Sequence, residues 1–198
     1  MHAHDRFLPE WFNRIRSRQI TLPRFQRFMA WGHGEVSGLL TTVLRGLPSG
    51  ATLILEVGDE EKFKSRTMVD APESGEKVTE QLLDGQQRLT SLHYVLSAPD
   101  IPLRGTKSPY RFFLSLDKML EAYQKGANGN LEAAIWGDRS DYVAEYENRQ
   151  LQFEKRVLPF TQVERWDEWH TEYRQWLMRR DVALLSEHMI NMESAWNT

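Results

Sequence analysis

Cysteine is absent from the 198 residues. That excludes a disulfide scaffold, a thiol nucleophile, a cysteine-type zinc site and a cysteine-ligated iron–sulfur cluster. No run approaches the ~20 apolar residues a membrane helix needs, and no basic-then-apolar segment opens the chain as a secretory signal does. The expected location is therefore the cytoplasm, without a membrane partner. A strong overall charge is also missing. Lys and Arg number 25 against 28 Asp and Glu, a net −3, so the chain as a whole is no histone-like polycation. Repeats and low-complexity tracts are lacking too. What remains is an ordinary globular composition, 40% apolar and 27% charged. The length gives one domain of ~150 residues and some chain beyond it, enough for a core without a metal or disulfide staple.

The charge is unevenly placed. Residues 1–30 carry six arginines against Asp5 and Glu10, a net +4, which leaves −7 for the rest. These arginines interleave with Phe7, Trp11, Phe12, Phe25, Phe28 and Trp31. Guanidinium forks suit phosphate and aromatic faces stack on bases, so Arg14, Arg16, Arg18 and Arg24 are candidate DNA contacts. The same pattern also describes a surface helix whose aromatics belong to the core.

Periodicity organises the chain. Residues 10–18 read as a short helix, and Gln19–Pro23 as a short strand ended by proline. Val36, Leu39, Leu40, Val43, Leu44 and Leu47 make one apolar stripe over 35–47, stopped by Gly46 and Pro48. Residues 51–57 read as a strand, 58–77 as a long charged, exposed loop or an irregular hairpin, 78–83 as a second strand and 86–97 as a helix. Residues 111–116 form a third strand, Asp117 can cap a helix over 118–125, and a helical piece falls near 131–136. Residues 137–160 give no clear pattern beyond an extended return at Leu158–Phe160. From Gln162 onward the spacing is helical, with Trp166, Trp169, Tyr173, Trp176 and Leu177 on one stripe and Trp196 beyond. Helices and strands mix without regular βαβ alternation, which predicts an α+β fold.

The segment Leu83-Asp84-Gly85-Gln86-Gln87-Arg88 reads as strand, tight turn and helix start. A helix N-terminus offers unpaired N–H groups and partial positive charge. Gly85 permits close backbone approach, and Arg88 adds a forked cation. Together they suit a phosphate. Asp84 can orient a water, accept a proton or hold a magnesium ion on phosphates. Alternatively, Asp84 simply caps the helix and Arg88 sits in a surface ion pair.

Asp84 to Thr90 resembles the DGQQR signature of the GmrSD-type restriction protein family. Upstream, Leu22-Pro23-Arg24-Phe25-Gln26-Arg27, with Trp31 after it, is similar to that family's P-x-F-Q-R-x-x-x-W motif. Leu44 to Gly50 is similar to its L-x-G-x-P-x-G helix exit, and Leu158-Pro159 matches more loosely. The motifs occur in family order, and the firm match covers residues 19–96. The resemblance implies a ParB/sulfiredoxin-like fold, a small mixed sheet with packed helices, over residues 1–161. A helical segment over 162–198 follows, the expected start of a longer helical region.

The resemblance also implies a magnesium-dependent nucleoside-triphosphate-binding and hydrolysing domain of a modification-dependent, phage-defence DNA restriction system. Its partners would be the nucleotide, DNA that carries modified bases, and an HNH-type nuclease or a further domain supplying the cut. Nucleotide binding falls to Gln26, Arg27, Gly85, Gln86, Gln87, Arg88 and Thr90, catalysis to Asp84, Gln87 and Arg88, and metal binding to Asp84. Two departures matter. Gln86 stands where sulfiredoxins need a reactive cysteine, so that chemistry is excluded. Gln87 stands where ParB proteins have arginine. A DNA-sensing module without hydrolysis and a ParB-like endonuclease are the alternatives, the latter short of the converging carboxylates that metal-assisted cleavage uses. The histidines, His2 and His4 included, show no metal-ligand spacing, and His93 on the 86–97 helix reads as half-buried packing.

Overall fold

Ile20, Thr21 and Leu22 are buried in succession. A strand covered on both faces can only lie inside a sheet, and that is where the computed structural model, which describes residues 5–180 and 185–186, places it. Strand β1 (Ile20–Pro23) shares a sheet with β2 (Leu53–Glu56), β3 (Ser65–Arg66) and β4 (Glu80–Asp84), in the order β2-β4-β1-β3, so that β1 pairs with β4 and β3. β1 and β4 run parallel, with Ile20 opposite Glu80, whereas β2 and β3 are antiparallel edges. A second, antiparallel sheet is ordered β6-β5-β7, from β5 (Tyr110–Ser115), β6 (Ile135–Arg139) and β7 (Val157–Pro159). The helices are α1 (Leu8–Arg16), α2 (His33–Leu44), α3 (Gln86–Ser97), α4 (Leu116–Gln124), α5 (Arg149–Glu154) and α6 (Trp166–Arg180). The fold is α+β, as expected.

One apolar core joins both sheets. It takes Phe12 and Ile15 from α1, Val36, Leu39 and Leu40 from α2, and Leu89 and Leu92 from α3. Trp169, Tyr173 and Leu177 of α6 enter the same core, each fully buried. Alternation along β5 sends Phe112 into this core and Phe113 into a small satellite with Val143 and Val157.

Several boundaries moved. The stretch 137–160 resolves into β6, α5 and β7. The helical piece near 131–136 is a 3-10 turn over Leu131–Ala134 that runs into β6. Asp117 lies in the first turn of α4, not at its N-cap. The N-cap of α4 is Ser115, and Asp117 accepts from Arg156 Nε at 2.6 and 2.7 Å. α2 begins at His33 and ends where Gly46 turns the chain at φ +64°. Trp196, His2, His4 and His188 lie outside the described residues.

Candidate phosphate-binding cleft

The interior strand β4 ends at Asp84, and the chain then turns sharply at Gly85, whose φ is +87°. An L-residue pays strain in that region. A Cβ on Gly85 would also stand 3.1 Å from Thr52 Oγ1. Gly85 is the N-cap of α3 and no side chain caps the helix. The alternative in which Asp84 caps the helix is thereby corrected. The first amides of α3, on Gln86, Gln87 and Arg88, have no intrahelical acceptor. They add their partial charge to the dipole at that end.

These residues line a cleft of about 340 Å³, faced by Gln26, Arg27 and Trp31 across from residues 83–88. Of the residues assigned from sequence, the structure gathers Gln26, Arg27, Asp84, Gly85, Gln86, Gln87 and Arg88 here. Arg27 and Asp84 are exposed, and among the described residues neither side chain makes a hydrogen bond or ion pair. Arg88 donates from Nη2 to the Ala51 carbonyl rather than to a carboxylate. Its guanidinium rests against Gly50, where a Cβ would come within 2.6 Å of Nη1. The glycine that closes the helix-exit motif is thus the seat of the arginine in the downstream motif.

The glutamines do something sequence reasoning did not anticipate. Gln86, buried, donates from Nε2 to the Arg27 carbonyl at 2.7 Å. Gln87 donates to the Phe28 carbonyl at 3.1 Å and accepts from the Ala30 amide at 2.7 Å. In return Gln26 donates to the carbonyls of Leu82 and Leu83 at 2.7 and 2.9 Å. Three side-chain amides therefore stitch the β1–α2 loop to the β4–α3 turn. Arg66 adds hydrogen bonds to the carbonyls of Gln26 and Arg27, and Arg104 one to Ala30. Neither arginine carried a sequence signal, because each lies outside the motifs. Burial lowers the Arg66 pKa, yet a guanidinium stays charged across the accessible range.

Other assigned residues lie elsewhere. Thr90 is buried one turn into α3 and does not line the cleft. Arg14 pairs with Glu10 and, at 3.1 Å, with Glu80. Arg16 pairs with Glu164 at 2.7 Å. Arg18 occupies a tight turn at φ +67° against Gly75. Arg24 alone of the four stays beside the loop, donating from Nε to the Ser65 carbonyl at 3.1 Å. Arg14 and Arg16 of the basic segment are thus engaged in intramolecular ion pairs. Arg6 clamps the buried Glu80 with bonds of 2.7 and 2.8 Å and lies 4.4 Å over Trp11.

His93 is fully buried, against Phe12 at 5.7 Å between ring centroids. Burial, reinforced by the Arg16 charge, lowers its pKa, while the carboxylates of Asp70 and Glu164 and the Val69 backbone act the other way. It packs rather than faces the cleft.

Among the described residues no three His, Asp or Glu side chains converge as a metal cage. Magnesium rarely needs one. It keeps waters and binds through one or two carboxylates plus substrate phosphates, so the single carboxylate of Asp84 beside the uncapped start of α3 would fit a metal that arrives on a phosphate ligand. No helix among the described residues is long and apolar enough to cross a membrane.

A family profile described as the GmrSD restriction endonuclease N-terminal domain matches residues 8–194. An uncharacterized protein of Methanocaldococcus jannaschii is 36% identical over 109 residues, covering 52% of this chain and 19% of that relative. The chain therefore spans only about a fifth of the curated relative it matches.

Proposed function

The chain belongs to the GmrSD restriction endonuclease N-terminal domain family, and from that premise we propose that its cleft binds and hydrolyses a nucleoside triphosphate within a modification-dependent, phage-defence DNA restriction system. The observation that carries the reading is the uncapped start of α3 with Arg27 and Arg88 across one cleft of about 340 Å³. That volume lies at the low end of the ~300–1,000 Å³ of small-molecule sites, which suits a phosphate chain with the nucleoside projecting outward.

The division of labour follows from the geometry. The α3 amides and Arg88 hold phosphate oxygens, and Arg27, unspent elsewhere, closes over them. Asp84 stands at the rim, where its carboxylate can orient an attacking water or complete a metal's coordination. A magnesium ion bound with the nucleotide would neutralise phosphate charge. Such sites work chiefly by positioning and by stabilising charge on the transferring group. Gln86 and Gln87 serve as positioning residues, since their amides set the loop that bears Arg27. The cut in DNA falls to a nuclease domain or partner outside this chain. Metal-assisted cleavage within it would call for more carboxylates than Asp84 supplies.

Calorimetric titration with magnesium and each of four nucleoside triphosphates tests the binding, and phosphate release tests the turnover. Arg27→Ala should weaken binding about tenfold or more without moving the unfolding midpoint, because that side chain supports nothing else. Asp84→Asn should keep binding and lose turnover. Unchanged nucleotide affinity in Arg27→Ala and Arg88→Lys together would overturn the reading.

A further inference from the structure

Phe25 and Phe28 stand 68% and 76% exposed on the loop between β1 and α2, beside Phe63 at 39%. Their exposure does not come from a loose loop. The backbone beneath them is held by Gln86, Gln87 and Arg66 and by Gln26 in return. The 63–66 segment lies alongside. The Arg24 amide donates to the Lys64 carbonyl at 2.8 Å, Phe63 meets Phe25 edge-on at 5.1 Å, and the Arg66 guanidinium lies 4.7 Å over the Phe28 ring. Aromatic rings and cations therefore share one rigid surface next to the cleft. The acids nearest in sequence are Asp59, Glu60 and Glu61, and Glu61 turns inward to accept from Ser65 Oγ and Gln81.

We propose that this surface binds an unpaired nucleic-acid strand, with Phe25 and Phe28 stacking on bases and Arg24, Arg27 and Lys64 meeting its phosphates. Protein interfaces deplete charge at their apolar centre, whereas here each ring has a cation one residue before it in the chain. That alternation matches a polymer of planar rings linked by phosphates. An unpaired strand is specified because a base buried in a duplex has no free face for the ring. The proposal goes beyond nucleotide binding and shares only Arg27 with it.

The test is fluorescence anisotropy of the whole chain with a labelled oligothymidylate of about 12 nucleotides, against a duplex of equal length. Phe25→Ala and Phe28→Ala should each weaken binding of the single strand about tenfold, while Phe28→Trp retains it. Affinity should fall steeply between about 50 and 200 mM salt. Triphosphate binding and the unfolding midpoint should not change in the phenylalanine variants. Equal affinity of the double alanine variant, equal or tighter binding of the duplex, or binding to anionic phospholipid vesicles in place of the oligonucleotide would overturn the proposal. If Arg88→Lys and Arg27→Ala leave triphosphate binding intact yet the phenylalanine effects hold, the nucleotide reading fails and this one stands.

Discussion

Gly50→Ala is the most informative single perturbation, because its effect should depend on a residue 38 positions away. Gly50 sits at φ +102°, and an added Cβ would reach within 2.6 Å of Arg88 Nη1 and 3.2 Å of its Cζ. The conformational strain alone costs about 1–3 kcal/mol. The contact must also push the guanidinium off the Ala51 carbonyl, and a hydrogen bond from a charged donor is worth about 1.5–3 kcal/mol, less at this half-exposed site. We take about 1 kcal/mol for it. Arg88→Ala removes the same bond and the same obstacle. The double variant should therefore be more stable than the sum of the two singles predicts, by about 1 kcal/mol, since the bond can be lost only once. Urea unfolding at constant m-value reads the coupling directly. Gly46→Ala is the control. It has φ +64° and open space around its Cβ position, so it should cost strain only and show no coupling to Arg88. Additivity of Gly50→Ala and Arg88→Ala within about 0.3 kcal/mol would refute the claim that Gly50 seats the arginine.

Three other outcomes follow from the packing. Glu80→Gln should lower stability by about 2–3 kcal/mol in a urea titration, somewhat under the ~3–5 of a fully buried pair, because Arg6 and Arg14 retain partial exposure. Trp169→Ala should cost about 3–5 kcal/mol, as its buried ring packs on Phe153 and Tyr173 and its Nε1 donates to Gln152 at 2.8 Å; a near-silent substitution would mean α6 is not part of the core. His93 is held below its usual 6.5 by burial and then by Arg16, so the unfolded chain binds its proton first and stability drains as pH falls below about 6.5. His93→Phe should flatten the melting temperature between about pH 7 and 5; an unchanged slope would show that His93 does not titrate on unfolding.

Local signals in the sequence were sufficient where local physics decides. The α2 stripe, the proline-ended β1 and the Gly85 turn each follow from residues within one or two turns of chain, and all three appear close to where they were expected. β6 did not announce itself, because Gly137-Asp138-Arg139 has no strand propensity and owes its conformation to pairing with β5. α5 is only six residues long, too short for periodicity to register. The arginine-rich start shows a related limit. Composition cannot show that Arg6 and Arg14 meet a carboxylate 74 and 66 residues downstream, a pairing that only the fold brings about.

The candidate site illustrates the same limit from the other side. The DGQQR turn and the P-x-F-Q-R loop were each legible, but read singly they invite the view that every polar side chain faces a ligand. The structure makes them halves of one object. Gln26 bonds to the strand that leads into the turn, while Gln86 and Gln87 bond to the loop that follows Gln26. A carboxamide has both donor and acceptor and carries no charge, so it can bridge backbone groups of either polarity without contributing to an anion's binding energy. A charged residue at these positions would compete with the phosphate or repel it. Under the proposed triphosphate reading, three glutamines form the frame and leave Arg27, Asp84 and the α3 amides for the ligand, a physical partition. It would place the chemistry on groups the fold leaves uncommitted and the precision on groups it has already satisfied.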